Sequence, residues 1–152
     1  MRQAFAALLL GLAACGAPAS APASGQLAVE EAWAAPTPGG AEVSAGYLTI
    51  VNGAAVDDRL LTVSSPRAAR VEVHEMTMDG SVMRMRPVDV LSIPAGASVT
   101  LAPGGRHLMF YGVAQPFSNG ESIPVRLTFD HAGEIDVSLP VRRQADAAHG
   151  AH

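Results

Sequence analysis

Methionine and histidine side chains are concentrated in one segment of this 152-residue chain, between residues 74 and 109. All methionines except the initiator lie there, at Met76, Met78, Met83, Met85 and Met109. Two of the five histidines, His74 and His107, lie at or near its ends. Thioether sulfur is a soft ligand that selects Cu(I), and imidazole also suits copper, so this composition indicates a site for a soft metal ion. The alternative is that the methionines fill a hydrophobic core, for which their flexible side chains are suited.

The alternation of side chains along two segments predicts the face that these groups occupy. Successive side chains of a β-strand point to opposite faces of the sheet. In the segment VEVHEM, the two valines share one face, and His74 and Met76 share the other with Glu72, which could orient the imidazole as a hydrogen-bond acceptor. In the segment HLMFY, His107 and Met109 alternate with leucine and phenylalanine. We therefore expect the imidazoles and thioethers to point away from the core, on the outer surface of the domain.

The Asp-Gly dipeptide at 79–80 predicts how two strands of this segment pair. Asp-Gly between stretches of alternating polarity is a strong signal for a hairpin with a two-residue loop. With these two residues as the loop, Met76 faces Met83 and His74 faces Met85. The β-carbons of directly opposed residues lie about 4.5–5.5 Å apart, close enough for both side chains to share one ion. The hairpin and the later His-x-Met strand then each supply one imidazole and one thioether, and the predicted metal ligands are His74, Met85, His107 and Met109.

Two imidazoles and two thioethers form a neutral, soft ligand set, which favours Cu(I) over hard ions. A blue-copper centre would require a cysteine thiolate, but the one cysteine, Cys15, lies near the N-terminus. The set therefore favours copper transport over redox use. Met76 and Met83 should share the ligand face, either as additional ligands or as outer contacts. His131 precedes an Ala-Gly turn and is expected to be a polar turn residue.

The first residues have the pattern of a targeting segment. Residues 1–14 contain a positive start and an apolar run too short to cross a membrane, as in a bacterial lipoprotein signal peptide. The run ends in Leu-Ala-Ala-Cys, which makes Cys15 the predicted lipidated first residue. The alternative is ordinary signal cleavage a few residues later, for instance after Ala19. Residues 15–26 then form a flexible Ala/Pro/Ser linker.

Charge and motif content exclude several classes of function. Removal of the signal leaves nine arginines, no lysine and fourteen acidic residues, which argues against nucleic acid as a partner. No later apolar run is long enough to span a bilayer, so membrane attachment would rest on the lipid at Cys15. No nucleophile–base pair or open hydrolytic metal set is apparent, and we predict that the protein is not an enzyme.

Residues 27–141 should form one all-β domain, because short apolar runs alternate with turn signals at roughly 8–12-residue spacing. This pattern predicts an antiparallel β-sandwich or barrel. The predicted strands are 27–34, 43–51, 59–64, 69–77, 82–91, 97–102, 107–113, 122–129 and 134–141. The predicted core or core-edge anchors are Trp33, Tyr47, Leu48, Phe110, Phe117 and Phe129. Residues 142–152 lose this pattern and are expected to form a disordered, histidine-containing tail.

The spacing of the candidate ligands resembles the signature of the periplasmic copper chaperone family known as PCuAC. That signature is a histidine, ten residues, a methionine, twenty-one residues and then His-x-Met. The same gaps separate His74, Met85, His107 and Met109 here. Further similarity, for example at residues 46–50 and 103–109, extends over roughly residues 27–141.

The resemblance implies a cupredoxin-like Greek-key β-sandwich that binds Cu(I) through those four residues on the periplasmic side of the envelope. It further implies copper delivery toward the CuA centre of cytochrome c oxidase, through subunit II or a Sco-type protein. Some members carry tails that bind a second copper, often Cu(II), which makes His149 and His152 candidate ligands. Many members are soluble, whereas Cys15 predicts a tether. Gly16, in place of aspartate, leaves the outer membrane open as its destination.

Two other functions remain compatible with the residues. A copper sequestration or resistance protein would use the same site to retain the ion. A metal-independent β-sandwich interaction module would instead use its exposed methionines to contact a partner.

Overall fold

The computed structural model describes residues 25–147, which form ten strands and one short helix. The strands are β1 (Leu27–Ala34), β2 (Val43–Asn52), β3 (Asp58–Ser64), β4 (Arg70–Asp79), β5 (Val82–Pro87), β6 (Leu91–Ile93), β7 (Ser98–Leu101), β8 (Arg106–Tyr111), β9 (Ser122–Phe129) and β10 (Gly133–Pro140); the helix is α1 (Gln144–Ala147). The predicted signal peptide, Cys15, His149 and His152 lie outside the described residues. No helix within residues 25–147 is both long enough and apolar enough to cross a membrane.

The strands form one sheet that curves into a nearly closed barrel. The strand order is β1-β2-β8-β4-β3-β9-β10, with β5 paired to β4, β6 to β3 and β7 to β2. At the seam, Ala34 forms a parallel bridge with Val141, and the Arg142 amide donates a hydrogen bond to the Ala34 carbonyl (3.0 Å). Strands far apart in sequence, such as β2 and β8, lie side by side. The predicted all-β, Greek-key architecture is confirmed.

The predicted aromatic anchors lie in or beside the core. Phe110 and Phe117 are fully buried and meet edge to face, with ring centroids 5.2 Å apart. Half-buried Tyr47 packs its ring 4.5 Å from that of buried Trp33. The contact between Phe110 and Phe117 fixes β8 against the core by one face, because Phe110 and buried Leu108 both point inward from it.

Most predicted strands agree with the structure to within two residues at each end, but two predicted elements differ by more. The predicted strand 82–91 is divided into β5 and β6, and β5 ends at Pro87, which has no amide to continue the ladder. The predicted tail begins with ordered residues, since Arg142 is hydrogen-bonded to β1 and α1 follows it.

The predicted register of the β4–β5 hairpin is wrong by two residues on β5. His74 opposes Pro87, Met76 opposes Met85, and Met78 opposes Met83. The loop is Gly80-Ser81, because Gly80 has φ of 63° and Asp79 remains in the strand. Glycine at the first loop position is the arrangement of type II′ hairpins, whereas an Asp-Gly loop is typical of type I′, which needs positive φ at both positions. A shift of two residues preserves the strand face, so Met85 still shares the face of His74.

Candidate metal centre

The two predicted histidine ligands lie directly opposite each other at the centre of the sheet. His74 of β4 pairs with His107 of β8. Their ring centroids are 6.0 Å apart, and the ring planes are inclined by 42°. Two strands far apart in sequence therefore place two imidazoles side by side on one face.

The two predicted methionine ligands flank this histidine pair along the strands. Met109 of β8 opposes Glu72, and Met85 of β5 opposes Met76. Each methionine is thus diagonal to His74, on opposite sides of it. Diagonal neighbours in a sheet are about 7–8 Å apart, which a long side chain can span. The structure brings the four predicted ligands to one face, around His74.

Burial divides the ligand set into an inner and an outer part. The relative exposures of His74 and His107 are 7% and 5%, whereas Met85 is 44% exposed and Met109 is half-buried. The prediction placed all four on the outer surface of the domain, but it did not include the burial of the two imidazoles. They do point away from the valine and phenylalanine core, but Tyr111 lies against His74, with ring centroids 5.9 Å apart, and the two imidazoles face each other.

His74 has one ring nitrogen that is held and one that is free. Its Nε2 lies 2.9 Å from Glu72 Oε2 and 3.3 Å from the Tyr111 hydroxyl oxygen. Its Nδ1 is buried and has no hydrogen-bond partner among the described residues. A proton on Nε2 is accepted by the Glu72 carboxylate and leaves the lone pair of Nδ1 available. A buried unsatisfied nitrogen is costly in a structural histidine, but is the arrangement required of a metal ligand.

His107 is held in a complementary way. Its Nδ1 lies 3.2 Å from the Gly105 carbonyl oxygen, to which an Nδ1 proton donates. The lone pair then lies on Nε2. A hydrogen bond from the second ring nitrogen is the usual means of orienting a metal-binding imidazole.

A cation supports the carboxylate that holds His74. Arg70 Nε lies 2.6 Å from Glu72 Oε1, and its guanidinium lies over the Tyr111 ring, 4.4 Å from the centroid. The hydrogen bond with His74, aided by Arg70, holds the pKa of Glu72 below its usual range. Sequence reasoning identified Glu72 but missed Arg70 and Tyr111. Strand alternation could have found both, since each is an even number of residues from a predicted ligand on the same strand.

The remaining candidates lie away from the histidine pair. Glu75 points to the opposite face, where its carboxylate meets the guanidinium groups of Arg86 and Arg106 at 2.8 and 3.0 Å. Met83 opposes Met78 near the hairpin loop. His131 is an exposed residue of the turn between β9 and β10, as expected. Within residues 25–147, no group of three or more His, Cys, Asp or Glu side chains is placed to hold a metal ion.

Solved structures with the same fold define the class of this domain. The copper-bound PCuAC domain from PmoF2 matches with a TM-score of 0.68 and 27% identity, over 79% of this chain and 95% of that domain. The solution structure of CuI-DR1885 from Deinococcus radiodurans matches with a TM-score of 0.60 and 26% identity, over 76% and 77% of the two chains. The domain is a cupredoxin-like β-barrel of the PCuAC type.

Sequence comparison identifies the family. Residues 27–141 match the family described as "Putative lipoprotein LpqE-like", and the chain belongs to this PCuAC-type family. One relative, the "Putative lipoprotein Lxx21020" of Leifsonia xyli subsp. xyli (strain CTCB07), is 32% identical in an alignment of 144 residues that covers 90% of this chain and 86% of that protein. The "Uncharacterized protein RP573" of Rickettsia prowazekii (strain Madrid E) is 29% identical in an alignment of 124 residues that covers 79% of this chain and 68% of that protein. The family resemblance inferred from ligand spacing is confirmed.

Proposed function

We propose that this protein is a copper chaperone that binds one Cu(I) through His74, Met85, His107 and Met109. The observation that carries this proposal is that Nδ1 of His74 is buried without a hydrogen-bond partner among the described residues, while His74 pairs directly with His107 on the neighbouring strand. The copper-bound PCuAC domains that share the fold support the same metal. In the proposed site, His74 Nδ1, His107 Nε2 and two thioether sulfurs are the ligand atoms.

The chemistry of these donors explains the choice of ion. All four are neutral, and thioether sulfur is soft, so the set suits Cu(I) better than Mg²⁺, Ca²⁺ or Mn²⁺. Cu(I) has a filled d shell and accepts the coordination that the protein imposes. The buried imidazoles retain the ion. The more exposed Met85 is the ligand that a group from an acceptor protein can replace.

Delivery is the second part of the proposal. The family resemblance points to the CuA centre of cytochrome c oxidase as destination, reached through subunit II or a Sco-type protein. Transfer by ligand exchange leaves copper in the same oxidation state and requires no catalytic group, consistent with a non-enzymatic protein. A sequestration protein would use the same ligands but retain copper in the presence of an apo acceptor. A metal-independent interaction module would not explain why Nδ1 of His74 is buried without a hydrogen-bond partner among the described residues.

Location and a tail site complete the proposal. Lipidation of Cys15 would tether the domain on the periplasmic side of the envelope, in agreement with a family described as lipoproteins. His149 and His152 would provide imidazoles for a second copper, as Cu(II), in the C-terminal tail.

A competition titration tests the site. Purified mature protein is titrated with Cu(I) against a chromogenic chelator, alongside His107→Ala, Met109→Ala and the control His131→Ala. We expect one tight equivalent in the wild type and in the control. Both ligand variants should bind at least about tenfold more weakly, as expected for the loss of a group that holds the metal. Failure of the wild type to compete would refute copper binding and favour the interaction module.

A further inference from the structure

The end of the β4–β5 hairpin extends beyond the rest of the sheet. Strand β8 pairs with β4 only as far as Glu75, and one further hydrogen bond joins the Met76 amide to Gly105. From Thr77 to the Gly80-Ser81 loop, β5 is the only strand paired with β4 in the described part of the chain. This end is therefore a two-stranded ribbon with both faces open to solvent.

The two faces of this ribbon differ in chemistry. On the face shared with His74, Met76 opposes Met85 and Met78 opposes Met83. Two successive cross-strand pairs thus consist of methionine alone. The opposite face has the pairs Glu75 with Arg86, Thr77 with Arg84 and Asp79 with Val82.

Core packing does not account for the methionine face. Met78 is 63% exposed and Met83 is 59% exposed, whereas Met76 is half-buried. Exposed apolar surface contributes nothing to the hydrophobic stabilisation that burial would provide, at roughly 25 cal/mol per Å². An exposed apolar cluster of one residue type, continuous with a proposed metal centre, therefore indicates a binding role.

We infer that Met76, Met78 and Met83 form a second, all-thioether site for Cu(I), through which the ion enters or leaves the centre at His74. This inference rests on the proposed function, because it takes Met85 as a ligand of that centre. Opposed β-carbons lie about 4.5–5.5 Å apart, so flexible methionine side chains in neighbouring pairs can bring their sulfurs to one ion. Three neutral thioethers select a soft monovalent cation over the hard ions that are abundant in the same compartment.

The position of the site along the hairpin suits transfer. Met78 is four residues from His74, a distance of about 13 Å along a strand. Met76 lies halfway and directly opposes Met85, which belongs to the proposed inner centre. An ion held by the three methionines can gain the Met85 sulfur before it loses an outer ligand. It then gains the imidazoles of the inner centre as the outer thioethers leave. Copper remains Cu(I) throughout, and no proton or electron is exchanged.

The two sites should differ in affinity. The inner centre has two oriented imidazoles in a buried setting, whereas the outer site has thioethers alone on an open ribbon. The outer site therefore binds more weakly and fills second, which a point of entry requires.

Residue-resolved titration tests the inference. The mature chain, with Cys15→Ser to remove its thiol and with ¹³C-labelled methionine methyl groups, is titrated anaerobically with Cu(I). The first equivalent should shift the methyl signals of Met85 and Met109. The second should shift those of Met78 and Met83. Because each methionine reports separately, copper bound by the tail histidines is distinguished from copper bound by the hairpin.

A paired variant provides the decisive comparison. Met78→Leu with Met83→Leu removes two sulfurs but retains most of the apolar volume. We expect the hairpin of this variant to bind the second equivalent at least about tenfold more weakly, as measured from the Met76 methyl signal. Binding of the first equivalent should be unchanged. Val82→Leu, on the opposite face of the ribbon, should alter the binding of neither the first nor the second equivalent. Unchanged Met78 and Met83 signals in the wild type, or undiminished hairpin binding in the Leu variant, would overturn the inference. If the inner centre does not bind copper, the Met109 methyl signal will not shift, and this outcome is distinct from a failure of the hairpin site.

Discussion

The orientation of one imidazole depends on one carboxylate, which makes Glu72 the most informative residue outside the ligand set. Its Oε2 lies 2.9 Å from His74 Nε2, and its other oxygen is engaged by Arg70. Glu72→Gln removes the negative charge that fixes the proton on Nε2 and so directs the Nδ1 lone pair toward the metal. We expect Cu(I) affinity to fall by about 10–100-fold in a chelator competition, as is typical for the loss of a group that orients a ligand.

Glu75→Gln is the matched control for this prediction. It makes the same charge change on the same strand, but Glu75 lies on the opposite face and binds Arg86 and Arg106. Its copper affinity should remain close to that of the wild type. Equal weakening in both variants would assign the effect to overall charge and not to the orientation of His74.

At this scale, the sequence predicts the kinds of donor but not their surroundings. The alternation in VEVHEM and HLMFY correctly separates His74 and His107 from the hydrophobic core. Their burial was not predicted, because it depends on Tyr111 and on contact between two rings brought together by strands 33 residues apart. Local alternation contains no information on which strands become neighbours. The choice of Nδ1 or Nε2 as ligand atom likewise depends on tertiary hydrogen bonds.

At the scale of elements, the packing of β2 against β8 holds half of the candidate centre in position. Gly46 of β2 pairs with Leu108, and a β-carbon added at Gly46 would lie 2.9 Å from Phe110 Cε2 and 3.0 Å from Leu139 Cδ2. Both side chains are fully buried and cannot move freely. We expect Gly46→Ala to lower the free energy of unfolding by about 1–3 kcal/mol, the usual cost of overpacking a core, as measured by urea denaturation.

Gly39→Ala is the control for Gly46→Ala. A β-carbon at Gly39 has no neighbour within 4 Å, and its φ is not positive. Its effect should stay within about 0.5 kcal/mol. A Gly46→Ala protein as stable as the control would show that Phe110 and β8 can shift, and that this strand does not hold His107 and Met109 rigidly.

The hairpin shows the limit of element prediction from sequence. An Asp-Gly dipeptide marks a tight turn correctly, but two turn types place glycine at different loop positions. Asp79 has no positive φ and pairs with Val82, which moves the loop to Gly80-Ser81. The predicted face of Met85 is nevertheless correct, because the register is shifted by two residues. A shift of one residue would have placed Met85 on the opposite face of the sheet.

At the scale of the whole molecule, the barrel depends on residues whose contacts no local pattern predicts. Asp58 at the start of β3 is one of them, with a relative exposure of only 4%. Its carboxylate accepts hydrogen bonds from the amides of Arg59 (2.7 Å), His131 (2.9 Å) and Ala132 (2.9 Å). It thereby joins β3 to the turn between β9 and β10. Burial alone would raise the pKa of Asp58, but these hydrogen bonds together hold it below its usual value.

A depressed pKa in the folded state ties the stability of the barrel to pH. The ionised Asp58 stabilises the fold fully above its unfolded pKa of about 3.9, and this contribution is lost as pH falls through the lower folded value. We expect Asp58→Asn to cost about 1–3 kcal/mol at pH 7, since three amides lose a charged acceptor. In urea denaturation, the difference from wild type should narrow below about pH 4. Asp57→Asn changes an exposed neighbour that accepts one amide hydrogen bond, from Ala95, and should cost less. If the difference in free energy of unfolding between wild type and Asp58→Asn stays constant down to low pH, Asp58 stabilises the barrel through its packing and not through its charge.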